Sequence, residues 1–84
     1  MNIAYVNLFE FSLGIGIQIG EERYNLINGN AESILQMIQN YDIDSLILVG
    51  PEAITEKYEK DLNNIMKSDY SKYKNIKITC VEDN

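Results

Sequence analysis

The chain has 84 residues, with 13 acids against 7 bases, no histidine and one cysteine, and a formal net charge of −6 at pH 7. Those counts exclude an intramolecular disulfide, thiolate or imidazole zinc sites within the chain, and every histidine-based catalytic set. The acidic balance argues against direct nucleic-acid binding, and no apolar run reaches the ~20 residues of a membrane helix; the expectation is a cytoplasmic single domain, residues 1–84, that meets no membrane.

Asn2 to Phe9, NIAYVNLF, is rich in β-branched and aromatic residues and reads as a first strand, with Tyr5 in the core. The next stretch, SLGIGIQIG, holds three of the five glycines. Leu13, Ile15, Ile17 and Ile19 occupy one parity, and Ser12, Gly14, Gly16, Gln18 and Gly20 the other. Strict alternation is the signature of a strand with one apolar face. A phosphate-cradling loop would lead straight into a helix, whereas here a turn near Gly20 to Glu22 leads into EERYNLI, a third strand. Glycine inside a strand lowers stability, so a face this bare needs a reason: close packing of a helix or an aromatic ring, or an open face approached by a partner.

Asn28-Gly29 turns the chain, Asn30 caps a helix, and Glu32 in its first turn complements the helix dipole. Ala31, Ile34, Leu35 and Ile38 form its core-facing stripe. Asp42 to Asp44 ends the helix, and SLILVG, Ser45 to Gly50, is apolar throughout, as in a central strand covered on both faces. After Gly50-Pro51-Glu52 a second helix buries Ile54, Tyr58, Leu62, Ile65 and Met66, with Glu56/Lys60 and Lys57/Asp61 as i,i+4 pairs. It ends in the polar stretch KSDYSKYKN, where Tyr70 and Tyr73 read as a solvated helix end. Ile76 to Val81 alternates again, with Cys80 as a buried small apolar residue.

The fold class is therefore α/β with a single mixed sheet, in the order β-β-β-α-β-α-β: an antiparallel meander followed by two right-handed crossovers. This order resembles that of the ribonuclease H-like superfamily, and the first two strands resemble the core of Holliday-junction resolvase-type proteins. In those proteins an aspartate on strand one precedes a turn and a G-x-G on strand two. Here Asn7 stands at the aspartate's place, LFEFSL is the turn, and Gly14 and Gly16 are the G-x-G. The stretch LILVGPE, Leu46 to Glu52, is similar to the family's fourth strand. The resemblance implies two divalent metals held by carboxylates, but the acids are not kept: Asn7 is neutral and the fourth strand ends in Gly50-Pro51. A nucleotide-binding version would need glycine in the first turn, which instead carries Glu10.

With no complete catalytic or metal constellation, the expectation is a small acidic non-catalytic binding or adaptor protein, with no cofactor and a protein partner. Self-association is also expected to be open to it. Abundant Asn, Ile, Lys and Tyr suit a phage or mobile-element product, in the sharpest form an inhibitor of a host nucleic-acid-binding protein. The residues proposed to meet the partner are Glu10, Gly14, Gly16, Gln18, Glu21, Glu22, Asp42 and Asp44. The alternatives are a remnant metal-dependent nuclease using Glu10, Glu32 and Glu52 with magnesium or manganese, and a self-associating structural subunit.

Overall fold

A computed structural model describes residues 2–9, 14–69 and 72–82. In chain order the elements are β1 (Ile3–Asn7), β2 (Ile15–Ile19), β3 (Glu22–Leu26), α1 (Ala31–Ile38), β4 (Ser45–Gly50), α2 (Glu52–Ser68) and β5 (Lys77–Glu82). The strands form one mixed sheet, ordered β3-β2-β1-β4-β5. β2 is antiparallel to both β1 and β3, and β4 is parallel to both β1 and β5. No helix among the described residues is long and apolar enough to cross a membrane.

Local chemistry sets the joints. Gly20 has φ +62° at the first central position of the β2–β3 hairpin, where a two-residue turn with glycine first follows the twist of the strands. Asn30 Oδ1 accepts the Ser33 N–H at 2.9 Å, and Ser33 Oγ accepts the Asn30 N–H at 2.8 Å, so two otherwise orphaned donors at the start of α1 are satisfied reciprocally. Pro51 sits at the N-cap of α2 with φ −60° and ψ 144°, and offers no side-chain cap.

Register decides which residues are buried. One face of the sheet carries the row Tyr24–Ile17–Val6–Leu48–Cys80 and the row Glu22–Ile19–Ala4–Leu46–Ile78. Both helices add to the same core: Ala31, Ile34, Leu35 and Ile38 from α1, and Thr55, Leu62 and Met66 from α2. Thr55 is fully buried and donates its hydroxyl to the Glu52 carbonyl at 3.1 Å, which removes the penalty of a buried polar atom.

The structure corrects several sequence readings. β4 alternates between buried and half-buried positions instead of being covered on both faces. Tyr5 is 46% exposed, because it points away from Ala4 and Val6. Tyr73 is 5% exposed and joins the core instead of lying on a solvated helix end. Cys80 is half-buried, its Sγ 3.7 Å from the Thr55 carbonyl, and burial pushes the thiol above its ordinary range. On α2 it is Thr55, Leu62 and Met66 that are buried, while Ile54, Tyr58 and Ile65 are partly covered. Neither i,i+4 pair of α2 closes as an ion pair; among the described residues the ion pairs are those of Lys74 with Asp42 and Asp44.

Candidate functional site: the uncovered face of the sheet

Among the described residues, no helix lies on the second face of the sheet. Across it runs the row Asn25–Gly16–Asn7–Val49–Val81, and beside that the row Arg23–Gln18–Tyr5–Ile47–Thr79. A shorter row, Ile3–Ser45–Lys77, follows at the end where β1 and β4 begin. None of these positions is an aspartate or glutamate, in a chain with 13 acids, and the charges present are the cations Arg23 and Lys77. Tyr5, Ile47, Val49 and Val81 form an apolar strip over β1, β4 and β5, and the ends of that strip are well exposed, Tyr5 at 46% and Val81 at 47%.

Gly16 makes this face concave. A Cβ built there would meet only the Asn7 Cβ, at 3.6 Å, an ordinary contact. The glycine is therefore not held bare by a packed helix or ring. β1 and β3 stand about 10 Å apart on either side of β2, twice the interstrand spacing, and their side chains form walls around the floor at Gly16. The resulting trough has a volume of about 460 Å³ and is lined chiefly by Tyr5, Asn7, Gln18, Arg23, Asn25 and Val49. It offers backbone, amides, one guanidinium and one aromatic ring: a set suited to hydrogen bonding and apolar contact, with no nucleophile–base pair.

The residues singled out from the sequence do not form one site. Gly16 and Gln18 lie on the uncovered face. Gly14 has φ +94°, and a Cβ there would come within 2.7 Å of the Leu26 carbonyl oxygen, so its bareness is structural. Glu21 and Glu22 lie in and after the β2–β3 turn, and Glu22 accepts the hydroxyl of Tyr24, which in turn accepts that of Tyr41 at 2.7 Å. Those two bonds, the carboxylate's first, raise the Tyr24 hydroxyl above its ordinary range. Asp42 and Asp44 share the Lys74 ammonium at 3.0 and 3.3 Å. The Asn2 N–H donates to Asp44 at 3.2 Å and, with Lys74 next in importance, holds its carboxyl below the usual range. These four acids sit at the end of the sheet where β1 and β4 begin, away from the trough. Glu10 lies outside the described residues.

The sequence reading missed Tyr5, Arg23, Asn25, Ile47, Val49 and Val81. Parity could have found them: each alternates with a residue of the core face, and an apolar parity on both faces of β4 needs a cover that two helices on one side cannot supply.

Among the described residues, the positions that the resemblance implies for a metal site do not supply one. Asn7 Oδ1 is occupied by the Phe9 N–H at 2.9 Å, which makes this residue a local turn former. Glu32 accepts from Gln36 within α1 and is in no group of three or more acids among the described residues. Among the described residues the acids that gather within 4.8 Å are Glu52, Glu56 and Glu82, all exposed. Their effect on one another is repulsive: burial first, then the charges of Glu52, Glu56 and Glu59, push the Glu82 carboxyl above its ordinary range.

No family model, no curated protein and no solved structure matches this chain.

Proposed function

We propose that the chain is a small non-catalytic binding protein whose partner is another protein, seated on the uncovered sheet face over the trough at Gly16. The observation that carries this reading is the segregation of charge. Among the described residues, an acidic chain keeps its acids off one broad face of the sheet and places an aromatic ring, four aliphatic side chains and a set of amides there. Interface centres are depleted of charged residues and enriched in tyrosine in the same way.

The order of elements and strands supports a ribonuclease H-like scaffold without its chemistry, because the positions matching the family's acids are Asn7 and Gly50. The sharper version, an acidic inhibitor lying in a basic nucleic-acid-binding surface, draws less support. Asp42 and Asp44 are already held by Lys74, and the face best shaped for docking carries cations.

Substitution on the uncovered face tests the proposal. Ile47→Glu places an acid in the strip without entering the core. It is expected to leave the fold intact by circular dichroism and to abolish retention of proteins that the unsubstituted chain captures from nuclease-treated lysate. Retention unchanged by this substitution would move the binding surface elsewhere.

A further inference from the structure

We infer that the protein seated on the uncovered face presents carboxylates around an apolar centre, set to meet Arg23 at one rim and Lys77 at the other. This rests on the reading of that face as the binding surface, and names the chemistry the face selects. Arg23 lies on β3 and Lys77 on β5, the two edge strands, and both are exposed. Between them run Tyr5, Ile47, Val49 and Val81, and no acid among the described residues. An apolar centre inside a charged rim is the layout of a protein interface, and the rim charges choose the sign of the partner and speed its approach.

Both cations are open to a partner. Among the described residues neither is in an ion pair, in a chain with 13 acids to choose from. The neighbours of Arg23 are engaged elsewhere. Glu22 has the opposite parity and accepts the Tyr24 hydroxyl, and Gln18, which faces Arg23 across the β2–β3 register, donates to the Gly20 carbonyl at 3.3 Å. Arg23 also lines the trough beside Tyr5 and Val49, so a carboxylate there has an apolar wall next to it. A guanidinium holds a carboxylate through two parallel N–H donors and gives up its water more readily than an ammonium does.

Charge selects the occupant. A second copy laid face to face brings no acid to either cation, because the described residues of the face have none to offer. Single-stranded nucleic acid carries the right sign but asks for a continuous cationic track and rings to stack on. Here the cations stand on strands four spacings apart, about 19 Å, with one ring and an aliphatic strip between them. Separate carboxylates on an otherwise apolar protein surface match that layout.

Fluorescence anisotropy with a labelled random copolymer of glutamate and tyrosine tests this at about 150 mM salt, where a screening length of about 8 Å mutes the chain's distant acids. The expected result is saturable binding that moves the side-chain N–H resonances of Arg23 and Gln18 in the NMR spectrum of the chain. Arg23→Glu with Lys77→Glu is expected to weaken binding about 5- to 30-fold, the loss of two exposed pairs. Lys57→Glu with Lys67→Glu makes the same charge change at exposed positions of α2 and is expected to shift affinity less than about 2-fold. No binding of the copolymer, an equal loss in both double variants, or tighter binding of oligothymidylate than of the copolymer would overturn the inference. The face and the sign of its partner fail separately. A protein captured from lysate that is lost in Ile47→Glu but kept in Arg23→Glu with Lys77→Glu would leave the face standing and overturn the acidic partner; one kept in Ile47→Glu would remove the face itself.

Discussion

Gly14 and Gly16 stand two residues apart and ask for opposite outcomes on substitution. At Gly14 the positive φ and the Leu26 backbone leave no room for a side chain. Gly14→Ala is therefore expected to cost about 1 to 3 kcal/mol, read as a lower denaturant midpoint with an unchanged slope. At Gly16 a side chain has space and φ is ordinary. Gly16→Val is expected to leave stability unchanged or raise it by up to about 1 kcal/mol, since a β-branched residue replaces the most flexible one inside a strand. A glycine retained where a larger residue would stabilise the fold is what a docking surface would require. The sequence displayed both glycines identically, as bare positions of one parity. Only the register against Leu26 and Asn7 separates the structural glycine from the open one.

At the scale of elements, most of the architecture was legible because periodicity and caps are local. The Ile15–Ile17–Ile19 alternation, the Asn30 cap and the stripe of α1 all follow from chemistry within a few residues. Asn30→Ala is expected to lower stability by about 1 kcal/mol through loss of the reciprocal cap, measured by chemical denaturation. What sequence could not fix is which side of the sheet each helix covers. β4 reads apolar on both parities, yet both helices feed the core on one face, leaving Ile47 and Val49 half-buried on the other. Tyr73 was hidden for the opposite reason: it sits in a polar, lysine-rich stretch, and only tertiary packing brings it into the core. Where Glu21, Glu22, Asp42 and Asp44 lie was not legible in the sequence, because their positions depend on how distant segments meet, as when Lys74 reaches Asp42 and Asp44.

Across the whole molecule, carboxylates at the two ends of the sheet oppose each other in their dependence on pH. Asp44 is held low, by the Asn2 N–H first and Lys74 next, so its contribution is present above about pH 4 and is lost as the pH falls through its lowered folded value. Glu82 is held high by burial and by Glu52, Glu56 and Glu59. When ionised it destabilises the fold, and that effect fades as the pH falls through its raised value. Glu82→Gln is accordingly expected to raise the Tm at pH 7, with the gain disappearing by about pH 4, where the native carboxyl is protonated. A gain that persisted at low pH would point to packing instead of charge. The absence of acids from the uncovered face, among the described residues, is what the proposal of binding there rests on.

The most direct test of that claim compares the unsubstituted chain with Gly16→Val, measuring denaturation and capture from nuclease-treated lysate of the source organism side by side. The account predicts a variant at least as stable as the parent that no longer retains a protein the parent retains. A variant equally stable that retains the same protein at the same level would show that the trough at Gly16 is not where binding occurs.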